Sequence, residues 1–166
     1  LFSEATKISW DELPQIIDFA YLALHGFLGE DGAIQGMLTI FNIPFSGSNI
    51  LTNAACMNKK FASLLPSMNN IKTPEEIYLN KNDNYQKDEI LSFLYLHKKI
   101  IIKPEQEGSS IGISFVNNEE NLYPAILKAR TINPEFNQNI IIQKYIEGIE
   151  FSIIALEKNK NWLILE

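Results

Sequence analysis

Cysteine is almost missing from this chain. Cys56 stands alone, so no internal disulfide can form, and a reducing, cytoplasmic setting is the natural reading. Its apolar, helix-like neighbourhood predicts a buried, inert thiol. Long apolar runs are missing as well. None approaches the roughly 20 residues that cross a bilayer, and no signal peptide is visible. Positive charge is in deficit: a net charge of −6 and a pI near 5.0 argue against a nucleic-acid or anionic-membrane partner, although a local basic pocket stays open. There is no zinc-ligand spacing, no Ser–His–Asp arrangement, no internal repeat and no low-complexity tract. Position 1 is Leu rather than Met, so the chain reads as a piece of something longer.

What is present suffices for a core: 166 residues, 46% of them hydrophobic, fit one domain or two small ones. The centre of the chain is KPEQEGSSIGISFV, residues 103–116, which comes directly after Ile100-Ile101-Ile102. A β-branched run, a polar loop with Gly108 and Gly112, and a second apolar run read as strand, loop and strand. Small residues around Ser109 and Ser110 let backbone N–H groups converge on an anion, and Lys103 adds a point charge. The stretch therefore reads either as a phosphate grip or as an ordinary hairpin connection with a solvated lysine. It is not a P-loop, since no Gly-Lys-Ser/Thr occurs in it.

Along the rest of the chain, Trp10-Asp11-Glu12-Leu13-Pro14 suggests a short helix start. Residues 19–24 form an apolar run that predicts a parallel strand buried on both faces, ending in His25-Gly26 and a glycine-rich turn with Glu30 and Asp31. His25 is open to a structural role or a ligand role. The two acids complement the dipole of a helix through Ile34, Leu38 and Phe41, and the same helix start suits a ligand. Residues 43–45 read as an edge strand and Ser46-Gly47-Ser48 as a turn and helix cap. Residues 49–65 predict a helix in one or two pieces with Leu51, Ala54, Ala55, Phe61, Leu64 and Leu65 inward; residues 66–73 read as a turn-rich boundary. Next come a weak strand at 75–79, a helix at 88–97 with His97 at the surface, and a covering helix over 118–130. Ile140-Ile141-Ile142 predicts another strand, and residues 151–165 a hairpin with an amide-rich turn.

Six stretches in order resemble the D-alanine–D-alanine ligases of the ATP-grasp superfamily. They are Ala23-Leu24-His25-Gly26 with Gly29-Glu30-Asp31-Gly32; Gln35-Gly36; Ile43-Pro44-Phe45-Ser46-Gly47-Ser48; Met57-Asn58-Lys59; Lys103-Pro104 with Glu107-Gly108-Ser109-Ser110-Ile111-Gly112; and Glu147-Gly148-Ile149-Glu150-Phe151. The resemblance implies an α/β chain: part of an open, mainly parallel N-terminal domain (residues 1–58), then an incomplete ATP-grasp domain. Its small subdomain spans 59–145, an antiparallel sheet with helices on one side, and 146–166 open the large one. It implies ATP-dependent joining of two D-alanines through an acyl phosphate, for peptidoglycan. D-lactate or D-serine as second substrate, or an inactive nucleotide-binding remnant, are the rivals. By resemblance Lys59 and Lys103 meet the nucleotide phosphates. Glu107, Gly108, Ser110 and Gly112 form the mobile loop, with Ser109 near the transferring phosphate. Gln143, Lys144, Tyr145 and Ile146 read adenine, Glu150 takes the ribose, and His25 and Glu30 flank the first D-alanine. The family usually carries Asp where this chain has Asn58 and Glu where it has Gln143. The family's opening substrate-facing glutamate and its later magnesium ligands (for Mg2+ or Mn2+) have no counterpart in residues 1–166. The segment by itself is therefore expected not to turn over. A homodimer is implied by resemblance alone.

Overall fold

The computed structural model describes residues 7–84, 86–134 and 137–165. Its centre is a four-stranded antiparallel sheet in the order β1-β4-β2-β3, built from β1 (Glu76–Leu79), β2 (Ile100–Pro104), β3 (Ser114–Val116) and β4 (Ile140–Lys144). The two Ile-Ile-Ile runs pair directly: Ile102 faces Ile142 and Ile100 faces Lys144. Alternation along a strand sends Ile100, Ile102, Ile140 and Ile142 to one side, where they are fully buried. There α5 (Lys87–His97) adds Ile90 and Leu94, and α6 (Leu122–Thr131) adds Leu122, Ala125, Ile126 and Ala129. Each such leucine or isoleucine side chain contributes about 1.5–3 kcal/mol by leaving water.

The opposite face carries Glu76 and Tyr78 of β1, Ile141 and Gln143 of β4, Ile101 and Lys103 of β2, and Phe115 of β3, as the pairing register requires. Against it lies α4 (Lys59–Met68), whose Lys60 and Ser63 both reach Glu76. The helix expected over 49–65 is two helices, α3 (Ile50–Met57) and α4, and α4 continues through Pro66 to Met68. The turn-rich boundary therefore begins later than expected. Caps explain the break. Asn49, not Ser48, caps α3 by accepting from the Thr52 amide at 2.9 Å. Asn58 caps α4 by accepting from Phe61 N at 3.0 Å.

Four expectations are corrected. Residues 19–24 meet a single parallel bridge, Ala20 to Phe45, and Tyr21 is 81% exposed. Burial on both faces needs flanking strands and covering helices, which the described residues do not place there. The apolar stripe of α3 and α4 faces solvent at Leu51, Ala54, Phe61, Leu64 and Leu65, since amphipathic spacing marks a face without supplying what covers it. Cys56, on the same segment, is exposed for the same reason. His97 is inside rather than at the surface. Its ring packs edge-on against Phe93 with centroids 4.4 Å apart, and Nε2 lies 3.7 Å from Glu75.

Before α3 stand a short 3-10 helix (Trp10–Glu12), α1 (Leu13–Ile16) and α2 (Ala33–Ile40). The last hairpin is β5 (Ile154–Lys158) with β6 (Asn161–Leu165). Asn159 and Lys160 form its turn, both with positive φ. No helix among the described residues is long and apolar enough to cross a membrane.

Candidate functional site

The strand–loop–strand at the chain's centre puts residues 107–112 over one end of the polar sheet face. Gly108 carbonyl accepts from Ile111 N at 2.9 Å, closing a tight turn whose two central residues, Ser109 and Ser110, have φ of 49° and 59°. The left-handed backbone thus falls on the two serines and on Gly112, and Gly108 does not need it. Both serines are exposed at the tip. Gly112 is confined: a methyl there would sit 3.0 Å from Pro104 Cγ, with φ already +77°.

Lys59, first residue of α4, reaches into this loop. Its Nζ donates to the Glu107 carbonyl oxygen and its backbone N–H to Glu105 O at 3.1 Å. Lys103 stands on β2 beneath. Burial lowers the pKa of both lysines; for Lys59 the positive charge of Lys103 acts in the same direction, while Glu76 works the other way on Lys103. Two ammonium groups near enough to repel, in a half-buried place, form a seat for an anion of higher charge.

The loop base is held by groups the sequence did not single out. Gln138 Nε2 donates to Glu107 Oε1 at 2.6 Å, and its Oε1 accepts from Gln106 N at 3.2 Å. Glu105, 5% exposed, accepts from Tyr78 OH at 2.8 Å and from Asn139 Nδ2 at 2.8 Å. Burial, then this carboxylate, push the Tyr78 phenol up to about 12. The one hint in sequence is position: Glu105 and the pair Gln138-Asn139 stand at adjoining ends of the two isoleucine strands.

Across from the loop lies the turn after residue 24. Glu30 Oε2 accepts from Gly26 N at 2.6 Å, and His25 Nδ1 is 3.9 Å from Glu30 Oε1. A methyl at Gly108 would lie 3.6 Å from Gly26 Cα and 3.8 Å from Glu30 Oε2, so loop and turn rest on each other. Gln35 braces the turn by donating to Gly29 O at 3.0 Å. The far end of the face carries Gln143, which donates from Nε2 to Glu76 at 2.6 Å. Beyond it, Lys144 N donates to Glu75 O and Tyr145 N to Lys99 O, and the Tyr145 ring lies 3.8 Å from Lys99 Nζ.

The structure thus brings Glu30, Lys59, Glu107 and Gly108 to one end of the face, with Ser109, Ser110 and Gly112 in the same loop; Lys103 stands on β2 close enough to act on the charge of Lys59, and His25 lies beside Glu30 with its side chain 81% exposed. Gln143, Lys144 and Tyr145 continue along β4. Ile146 and Glu150 are not drawn in: both are exposed in the irregular segment 145–153, and Glu150 has no hydrogen bond or ion pair among the described residues. Among the described residues no three His, Cys, Asp or Glu side chains come together to hold a metal.

Known proteins match this chain in two parts. A family model described as the D-ala D-ala ligase N-terminus matches residues 2–48, and one for the D-ala D-ala ligase C-terminus matches residues 67–165. The chain belongs to the D-alanine–D-alanine ligase family. It is 40% identical over 147 residues to a D-alanine–D-alanine ligase of Buchnera aphidicola, covering 87% of this chain and 47% of that protein. The family member therefore spans about half the length of the curated relatives it matches. Among solved structures, D-alanyl-alanine synthetase A of Vibrio cholerae superposes with a TM-score of 0.79 at 28% identity, covering 89% of this chain and 43% of that one. A D-alanine–D-alanine ligase from Bacillus anthracis complexed with ATP gives 0.68 at 34% identity, over 84% of this chain and 45% of that one. The α/β reading, part of an N-terminal domain and then an incomplete ATP-grasp domain, stands with these neighbours.

Proposed function

We propose that the protein joins two D-alanines into D-alanyl-D-alanine at the expense of ATP, in the cytoplasm, for peptidoglycan. The observation that carries this is that Lys59 holds the carbonyl of Glu107 in a loop resting on the Gly26–Glu30 turn, with Lys103 on the adjoining strand close enough for its charge to be felt at Lys59. It brings a polyanion seat and a small polar turn to the same place, which is what transfer of phosphate to a small carboxylate needs.

In this reading the carboxylate oxygen of the first D-alanine attacks the terminal phosphorus, and ADP departs. The amine of the second then attacks the acyl carbon, phosphate leaves, and the ammonium proton goes to solvent. Phosphoryl transfer is chiefly a matter of position and charge. Lys59 and Lys103 neutralise the phosphates. Residues 107–112 exclude water from the acyl phosphate, with Ser109 and Ser110 offering hydroxyls at the tip. His25 and Glu30 hold the first amino acid. Gln143, Lys144, Tyr145 and Ile146 read the base, and Glu150 takes the ribose. The magnesium that neutralises β- and γ-phosphates is assigned to no residue here. Residues 1–58, 59–145 and 146–166 correspond to the N-terminal domain part, the small subdomain and the opening of the large one. A homodimer belongs to the same proposal, which includes no nucleic acid or membrane partner.

The test is substitution in the protein at its natural length. Lys103→Met should keep the fold and lower D-alanine-dependent ADP release by about 100-fold or more, since a half-buried cation facing the transferring charge is worth roughly 3 kcal/mol. Unchanged ADP release would overturn the assignment.

A further inference from the structure

Gln143 differs from the other residues of the polar face in having one half of its amide already committed. The residue is 7% exposed, and Nε2 donates to Glu76 Oε2 at 2.6 Å. Glu76 is itself fixed: its other oxygen accepts from Lys60 Nζ at 3.2 Å and from Ser63 Oγ at 3.0 Å, both on α4. An ionised carboxylate can only accept, so the end of Gln143 turned to Glu76 has to be the NH2 end. Gln143 Oε1 is thereby left as the outward half. It accepts no hydrogen bond from the described residues.

We propose that Glu76 is a positioning residue that sets the base preference of the nucleotide site. By holding Nε2 it presents an acceptor alone to the base, so the site favours a purine with an exocyclic amine over one with a carbonyl in its place. The inference rests on the proposed assignment of Gln143 to the base. The physical reason is the cost of mismatch: with a carbonyl, two acceptors face each other and neither is satisfied, a loss of roughly tenfold or more in affinity. Gln143 without Glu76 could turn over and donate instead, and the preference would disappear. Glu76 also acts on the charge of Lys103, but that effect reaches the phosphates of every nucleotide alike. The ratio of two nucleotides isolates the base.

The experiment compares the affinities of ATP and inosine triphosphate for the protein at its natural length. The unaltered protein should favour ATP. Glu76→Gln, whose own amide can donate or accept, should reduce the ATP-to-ITP ratio by about tenfold. The double variant Glu76→Gln with Gln143→Glu reverses the pair: the amide at 76 donates to a carboxylate at 143, whose free oxygen again accepts from the base. That variant should restore the ratio, which a role in stability alone would not do. If Glu76→Gln does not fold, Glu76→Ala, which likewise frees the Gln143 amide to turn, carries the comparison, with the ATP preference expected to fall. ATP binding with an unchanged ratio in Glu76→Gln, or no preference in the double variant, overturns the role of Glu76 and leaves the nucleotide assignment standing. Failure of the unaltered protein to bind ATP overturns both.

Discussion

Tyr78 and Glu105 show how one residue pair holds the floor of the candidate site. Glu105 is nearly sealed from water, and its two oxygens are occupied by Tyr78 OH and Asn139 Nδ2, each at 2.8 Å. Tyr78→Phe removes one donor and leaves a buried carboxylate oxygen short, at a cost of about 1–3 kcal/mol. Urea denaturation should show this as a lower midpoint with an unchanged slope. The phenol also sets a pH window. Its pKa is raised from 10.0 to about 12, so the folded protein keeps a proton that the unfolded chain gives up. The stability this contributes is complete below pH 10.0 and falls as pH climbs toward about 12. Tyr78→Phe should flatten that alkaline decline in a series of melts. An equal decline in both proteins would place its cause elsewhere. None of this pair was legible in the sequence. Tyr78 and Glu105 are 27 positions apart, and only the β1–β4–β2 register brings them together. For Lys103 the sequence showed the place, the end of an isoleucine strand before a small-residue loop, but left open a phosphate lysine or a solvated one; the structure half-buries it. Glu76 opposite Gln143, 67 positions away, had no such local signal.

At the scale of elements, local chemistry was legible and covering partners were not. The isoleucine runs became β2 and β4, and the polar stretch between 104 and 114 became the loop joining β2 to β3, since β-branched runs and small residues each favour one backbone. The stripe of α3 and α4 was also correctly seen as apolar, but its spacing carries no record of what lies over it. It is exposed, Leu51 at 78%. Asn58 makes the same distinction. The sequence marked it only as a departure from the Asp that the resemblance leads one to expect, whereas the structure uses its side-chain oxygen to cap α4, the helix that begins at Lys59. The loop itself turns on Gly112. Its φ of +77° and the 3.0 Å that a methyl would leave to Pro104 both oppose a side chain. Gly112→Ala should cost roughly 1–3 kcal/mol and, because Glu107 and Gly108 lie in the same loop, weaken nucleotide binding as well. Gly108→Ala meets ordinary contact distances and needs no left-handed backbone, so it should be the milder change. Melting temperatures and ATP affinities of the two variants, measured side by side, check the ranking; equal losses would contradict it.

For the whole molecule, the sheet and its two helices supply a real core, while the segment after β4 has little to rest on. Among the described residues strands β5 and β6 pair with each other alone, and Ile149, Phe151, Trp162, Leu163 and Ile164 are all more than half exposed. A two-stranded hairpin alone is marginal in water, and a patch of this kind is normally covered by further structure. The candidate site shares this openness. Lys59 and Lys103 and the loop beside them are in place, Glu150 stands apart from them, and no metal-holding cluster occurs among the described residues. Two lysines can bind a triphosphate, but they do not replace the charge that divalent metal ions spread over β- and γ-oxygens during transfer. The 166 residues produced alone are therefore expected to bind ATP and to make no dipeptide. Purified polypeptide incubated with ATP, magnesium and D-alanine, with the products separated by mass spectrometry, decides this. D-alanyl-D-alanine above the level of a Lys59→Met, Lys103→Met control would show that the half-length chain catalyses the reaction with the groups described here, and that the charge it needs comes from residues not counted as ligands.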